Sequence, residues 1–466
     1  MKFSSLSSPI ADTGFAAHDR IDPFYDGLWT HGSQGLWTRF AEAKSQHEAG
    51  LVNLPKYLDI EKEEAMARVT SANQWGLKLA FLSALDAFRT VTAEQMVALT
   101  GAKFHLNHTS PFVPGMFASG LIDMGRVSSA LAPGRAGTLG HLYRPSRTMT
   151  FDRDFAQYLT YPELVSVTGG QSWTSGGLYD RHNTLSTELM LRLAEYTDIA
   201  TMLGEKFSTF DLLFGSGVGR EPIESGRRGD GVVIRPDGVR VVMEVTASMS
   251  PDSFETKVGR WAEYFDAYPY ESNGVVVCFV IANPTQDMSS HSKVSRSSVK
   301  RALRKATAQN PGSGRVRSRH RMFFTDWQDW FPSLGEVSTD FLDMIAYRPS
   351  TEAHGLDEEC SMLLDESLAL RKPTFAPLAV IDNAAGLRQT PPWLRAGKQP
   401  VQIVDSEVAA AGLDDHPVMS PERRETRFGK TLPPPRLRTI THNLPPRATS
   451  SKQWATHRRL IGGEGA

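Results

Sequence analysis

Apolar residues recur at two different periods along this chain, and the changes of period mark its elements. Beyond Gln74, Leu77, Phe81, Leu85 and Phe88 fall at i, i+4, i+8 and i+11, the spacing of a helix with one buried face. The run Arg89-Thr-Val-Thr92 interrupts it. Thr92-Ala-Glu-Gln95 is then a capping box that opens a second helix through Thr100, and Gly101 ends it. A third helical segment, residues 106–119, contains Pro111 and Pro114, which weaken the pattern. A Gly-rich stretch over 126–140 and Leu142-Tyr143-Arg144 read as a flexible hairpin. Further on, Leu185, Leu189 and Leu193 stripe a helix over 183–196, and 207–214 reads as a strand. Two short β-rich runs over 230–246, an amphipathic helix over 253–268, a wholly apolar strand over 274–282, a basic helix over 291–309 and a strand over 321–325 complete the order α-β-β-β-α-β-α-β. A buried strand reached through a helix implies a parallel pair in a mixed sheet. The fold class is therefore α/β (α+β mixed).

These patterns divide the chain into an irregular N-terminal arm ending in a helix (1–70), a helical unit with a hairpin (71–150), a connector with a Gly/Ser loop (151–180), the mixed-sheet domain (181–350) and a Pro-rich basic tail (351–466). Helix, short turn, helix, helix and flexible hairpin is the order of a winged helix-turn-helix, so 71–150 is expected to contact DNA. A further helix is expected near 358–370. Beyond it come Pro391-Pro392, Pro433-Pro434-Pro435 and Pro445-Pro446, and from Ser420 onward ten Lys/Arg face three acids, the composition of a disordered polyanion-binding tail.

Bulk composition narrows the class. A net charge of −1 means that nucleic-acid affinity must come from local patches. Cys278 and Cys360 form neither a disulfide framework nor a zinc spacing, which points to a reducing cytoplasm. The N-terminus lacks an apolar leader, and the longest apolar run, 275–282, is too short to span a bilayer, so no membrane partner is expected.

The chemistry is concentrated in the hairpin. Pro236-Asp237-Gly238 suits a three-residue loop, with Pro setting the first φ and Gly taking the left-handed position. Arg235 then faces Val239, and counting outward puts Asp230 opposite Glu244. Opposed carboxylates lie about 5 Å apart on one face and repel unless a positive charge sits between them. A divalent metal is the natural candidate.

The α-β-β-β-α-β order with Asp230 and Glu244 resembles the core of PD-(D/E)XK nucleases. That resemblance implies a Mg²⁺ or Mn²⁺ site on Asp230 and Glu244, with Glu188 of the first helix as a third ligand. The literal Pro236-Asp237 belongs to the turn, so Asp237 is expected to point to solvent. Residues 75–330 further resemble the replication-relaxation family of plasmids and mobile elements, related to MobC-type relaxases. The residues that carry this are His182-Asn183, Glu188, Gly229-Asp230-Gly231, Met243-Glu244-Val245-Thr246 and Lys257 through Tyr264. It implies a DNA endonuclease, nickase or relaxase-like protein acting on mobile-element DNA beside replication or conjugation proteins. The alternative is a non-catalytic regulator with a degenerate nuclease core. The superfamily's lysine should stand at 246, where this chain has Thr246, and Lys257 is the candidate to reach in from the next helix. His182 reads as a structural hydrogen-bonder.

Two basic features complete the reading. Arg227 and Arg228 precede Asp230 and are candidate phosphate ligands. Residues 293–321 hold ten Lys/Arg and no acid, with Arg296, Lys300, Arg301, Arg304 and Lys305 expected on an exposed DNA-contacting face.

Overall fold

In the computed structural model the described residues are 2–3, 20–25, 29, 33–102, 111–128, 141–168, 173, 179–208 and 229–284 except 198, 200, 236, 238, 248, 270, 271 and 273, then 293–312 and 317–368 except 353 and 354. Arg227, Arg228 and most of the tail lie outside them.

The N-terminal part is more regular than its mixed composition suggests. It contains β1 (Lys2–Phe3), β2 (Gln34–Thr38), α1 (Phe40–Glu48) and α2 (Lys62–Thr70). Then come α3 (Trp75–Phe88), β3 (Val91–Thr92), α4 (Ala93–Thr100), α5 (Phe112–Ala118), β4 (Ile122–Ser128) and β5 (Leu142–Pro145). The apolar stripe of α3 packs as its spacing predicts, with Phe81 and Leu85 fully buried. The capping box of α4 is present in both directions: Gln95 N donates to Thr92 Oγ1 and Thr92 N to Gln95 Oε1, each at 3.1 Å. Gly101 closes the helix at φ 72°. The prolines do not break α5. Pro111 is its N-cap and Pro114 lies in the first turn, where no intrahelical N–H is lost. β2, β4, β5 and β3 form a four-stranded antiparallel sheet in that order.

After α6 (Tyr161–Thr168) comes the larger sheet: α7 (Asp180–Tyr196), β6 (Thr201–Gly204), β7 (Gly231–Ile234), β8 (Arg240–Thr246), α8 (Pro251–Ala267), β9 (Val275–Ile281), α9 (Arg296–Gln309) and β10 (Met322–Asp326). The chain continues through α10 (Trp327–Trp330), β11 (Val337–Ser338), α11 (Thr339–Leu342), β12 (Ile345–Arg348) and β13 (Glu358–Ser361). The strand order is β13-β12-β10-β9-β8-β7-β6. β8, β9 and β10 run parallel, joined through α8 and α9; the remaining pairs are antiparallel. Every residue of β9 is buried, as expected for a strand covered on both faces.

The first described strand of this sheet is Thr201–Gly204, followed by a 3₁₀ turn over Glu205–Phe207; the strand expected over 207–214 lies mostly outside the described residues. The segment near 358–370 holds no described helix of the expected length: Glu358–Ser361 is the edge strand β13, paired with β12. Its alternate residues are Cys360, buried, and Glu359, exposed, so too few positions carry the period of two.

The sheet is covered on two faces. A Cβ on Gly231 would meet the Met190 side chain of α7 at 2.6 Å, so α7 crosses the face of β7 that Gly231 presents. The next residue across the ladder from Asp230, Glu244, meets Lys257 and Trp261 of α8 on the other face. Successive right-handed crossovers put α9 beside α8. α7 also ties the small sheet to the large one. Gln95 of α4 donates to Thr184 O at 2.9 Å, and Thr90 Oγ1 and Trp37 Nε1 donate to Asp180 at 3.0 and 2.8 Å.

Candidate active site

Register carries Asp230 to Glu244. Arg235 N donates to Val239 O at 2.8 Å, and the pairs Ile234↔Arg240 through Gly231↔Met243 follow outward as counted from the turn. Asp230 N donates to Met243 O at 2.9 Å, the residue paired with Gly231, so the regular ladder ends there and Asp230 stands one step beyond it. The two flanking glycines are needed for close packing: a Cβ on Gly229 would fall 2.1 Å from Val242 Cγ1. Asp237 is turned away, paired with Arg235 at 2.7 Å.

The positive charge required between the acids is present as Lys257. Its Nζ lies 2.5 Å from Glu244 Oε2 and 3.6 Å from Asp230 Oδ2. Lys257 and Trp261 are one turn apart on α8, so both face β8. Trp261 Nε1 donates to Glu244 Oε1 at 2.6 Å. Asp230 is held from the other side: Oδ1 lies 2.9 Å from His182 Nε2, and Oδ2 accepts from Val245 N at 2.6 Å. Glu244 is 2 % exposed at its side chain, Asp230 11 %, Lys257 21 % and His182 26 %, so solvent reaches the cluster along Lys257 and His182.

These contacts set the protonation states. Burial opposes the charge on Asp230, but His182, Lys257 and the Val245 N–H outweigh it and hold the carboxyl far below its usual range. Burial pushes Glu244 up to about 7, opposed by Lys257 and reinforced by the Asp230 charge. Burial lowers Lys257, yet Asp230 and Glu244 prevail and raise it. His182 is likewise raised, because Asp230 overcomes the effect of burial.

Glu188 is not part of this cluster. Arg20 Nη2 and Arg192 Nε donate to its Oε1 at 3.0 Å each, and Arg20 Nε and Gln95 Nε2 to its Oε2 at 3.1 and 3.2 Å. Burial raises its pKa, but the two guanidiniums win and lower it to about 2. The expected convergence of Glu188 with Asp230 and Glu244 is therefore corrected: its carboxylate is taken by Arg20 and Arg192. Glu188 is six residues beyond His182, about 240° round α7 and about 9 Å along it, so the two cannot share a face. Among the described residues no group of three or more His, Cys, Asp or Glu is gathered so as to hold a metal. Two carboxylates still fit Mg²⁺ or Mn²⁺, since small hard cations are often bound by one or two carboxylates, water and substrate phosphate oxygens. Glu244 Oε2 is met by the Lys257 ammonium, whereas Thr246 Oγ1 is buried without a partner.

Thr246 lies on the Glu244 side of β8, 1 % exposed. The exposed cation face expected on α9 is also corrected. Arg296 pairs with Asp326 and Asp329 at 2.8 and 2.9 Å, Lys300 with Asp357 at 2.5 Å, and Lys305 with Glu255. Arg304 donates to Ser350 O at 2.9 Å and Glu352 O at 3.2 Å. Arg301 alone of the five is exposed with no side-chain contact among the described residues. Acids distant in sequence, Glu255, Asp326, Asp329 and Asp357, neutralise a run that contains none of its own.

His182 is the hydrogen-bonder its sequence position suggests, with Asp230 as the partner, while Trp261 bonds Glu244 without having been among the expected site residues. The i, i+4 spacing from Lys257 was the available signal for Trp261; nothing local marked His182 as the partner of Asp230. No protein-family model, curated protein or solved structure matches this chain.

Proposed function

We propose that this chain is a DNA-binding protein with a metal-dependent phosphodiester-cleaving centre, an endonuclease or nickase of PD-(D/E)XK type acting in replication or transfer of a mobile element. The observation that carries the reading is the convergence of Asp230, Glu244 and Lys257. Lys257 supplies from α8 the charge that Thr246 lacks. The order of α3, β3, α4, α5, β4 and β5, with β3 paired to β5, supports reading that unit as a winged helix-turn-helix.

The residues divide the work. Asp230 stays ionised at neutral pH and is oriented by His182 and Val245 N–H. Glu244 is fixed by Trp261 and balanced near neutrality. Bound between the two carboxylates, Mg²⁺ or Mn²⁺ would supply Lewis-acid stabilisation and a more acidic water. Lys257 would exchange a carboxylate for a phosphate oxygen or the attacking water, offsetting charge on the phosphate.

A second reading, a non-catalytic DNA-binding regulator, is favoured by the withheld Glu188 and the uncharged Thr246. Supercoiled plasmid incubated with Mg²⁺ or Mn²⁺ separates them. Nicking by the native chain and not by Glu244→Gln supports the first. A gel shift with no nicking, or equal nicking by both proteins, removes the catalytic reading.

A further inference from the structure

The C-terminal half of α9, the 3₁₀ turn Ser318–Arg321 and the end of β12 enclose a cleft of about 350 Å³. Arg304, Arg317, Arg319 and Arg348 line it, and no Asp or Glu does. Their countercharge is sparse. Arg348 forks onto Glu358, with Nε 3.0 Å from Oε2. Arg319 reaches the same carboxylate only at 3.8 Å, and its Nε is buried without a hydrogen-bond partner. Arg304 is held by the neutral carbonyls of Ser350 and Glu352. Arg317 is exposed, with no side-chain contact among the described residues. Four guanidiniums thus converge with one half-exposed carboxylate in contact. His320, beside them, is lowered by burial and then by Arg348 and Arg319, which reports the local positive field.

Ordinary surface cations on this molecule find acids, as Arg296, Lys300 and Lys305 do. In the cleft, Arg319 and Arg348 share the single carboxylate of Glu358, although gathering like charges opposes folding. Planar guanidiniums around a concave space are suited to phosphate oxygens, which accept paired N–H donors. The cleft opens at Met322, the first residue of β10, whereas Asp230 and Glu244 lie toward the far end of the parallel strands. It is a separate place on the sheet.

We propose that this cleft binds phosphates of a nucleic-acid backbone and anchors the duplex away from the acids. The proposal rests on the DNA-binding reading above. Its test is fluorescence anisotropy of a labelled duplex over a salt series without divalent cation. The native chain is compared with Arg317→Ala, with Arg317→Ala/Arg319→Ala, and with Lys56→Ala/Arg153→Ala, which removes two exposed charges elsewhere. Thermal melting of each accompanies it; Arg317 is exposed, so its variant keeps the fold.

The expected result is weaker binding by the cleft variants alone, the double variant lowering the slope of log K against log salt by about 2, roughly 0.9 per lost phosphate contact. Unchanged slopes, equal loss in the control pair, or no duplex binding by the native chain would overturn it. Pyrophosphate that raises the native melting temperature, and not that of Arg317→Ala/Arg319→Ala, while duplex affinity is untouched, would make the cleft a free-phosphate site and overturn it too. The two readings fail separately: a native chain that binds DNA without nicking, or nicks no better than Glu244→Gln, whose cleft is intact, sinks the nuclease reading alone, and plasmid nicked by a cleft variant with unchanged affinity sinks the cleft alone.

Discussion

Helix α7 carries a buried charge cluster at each of two faces, and the two are built on opposite principles. Around Glu188, Arg20 and Arg192 meet Glu188, Glu195 and Asp22. Both oxygens of Glu188 are hydrogen-bonded, and Arg192 also lies 4.5 Å over the Phe331 ring. That cluster is closed, and it fastens residues 20–25 to the core. Around Asp230, a single lysine serves two acids, Thr246 Oγ1 lacks a hydrogen bond, and Lys257 and His182 keep partial contact with solvent. A closed cluster has nothing left to offer a ligand. An open one bears a standing cost that ligand binding can relieve. The difference teaches that burial and ionisation alone do not mark a site; unmet valences beside an accessible cation do.

The largest expected effect tests the open cluster. Glu244→Gln should lower Mg²⁺-dependent nicking by roughly 10³-fold, the scale of losing an essential electrostatic group. The same variant carries a pH signature. Glu244 is raised to about 7 when folded, against an ordinary value of 4.5. The folded state therefore holds the proton more tightly, and stability falls as pH rises from about 4.5 to about 7. Melting profiles of Glu244→Gln should lose that decline; an unaltered profile would show that Glu244 is ordinary.

The closed cluster is next. Glu188→Ala leaves Arg20 with Glu195 and Arg192 with Asp22 but removes the carboxylate the two guanidiniums share, and should cost about 3 kcal/mol in urea unfolding, because a buried ion network loses one partner. Nicking per folded molecule should stay at the native level. A stably folded Glu188→Gln that binds DNA yet no longer nicks would erase the distinction and return Glu188 to the metal set.

Much of this arrangement was legible, for local reasons. The turn residues fixed the register of Asp230 against Glu244, since one turn type sets every pair in a hairpin. The capping box and Gly101 marked α4 because caps are short-range chemistry. The strand and helix order survived because β9 is apolar throughout and α8 is amphipathic. What failed was non-local. Nothing near Glu188 announces Arg20, which lies 168 residues away. Nothing in the basic run of α9 announces Asp326, Asp329, Asp357 or Glu255. The strand at 201–204 has four residues and alternates too briefly to be seen, and β2 exposes Leu36, against the usual pattern. Side-chain pairing across the fold decides which charges are free, and a linear reading cannot assign it.

Lys257→Met asks whether the cation between the acids is replaceable. Without it Asp230 and Glu244 face each other directly, so the metal-free protein should lose about 1–2 kcal/mol. Mg²⁺ binding only the folded state should restore more stability to the variant than to the native chain, since no ammonium competes. Nicking should fall about 10²-fold, the usual loss for a proton-transfer or phosphate-charge group. Equal Mg²⁺ stabilisation of both proteins would mean that the metal, if bound, sits elsewhere.

Thr246→Val gives the smallest effect and the sharpest division between structure and chemistry. The hydroxyl is buried with no partner, a condition that costs about 1–3 kcal/mol. Valine keeps the branched shape that β8 accommodates and removes that cost, so the melting midpoint should rise by an amount equivalent to about 1 kcal/mol. If Lys257 supplies the charge at this centre, nicking by Thr246→Val should remain within a few-fold of native. The two readouts then move independently: stability up, activity level. A stabilised variant that no longer nicks would show that the unmet hydroxyl is itself kept for substrate or water. The cost of leaving it unpaired would then belong to the function of the open cluster and not to an imperfect core.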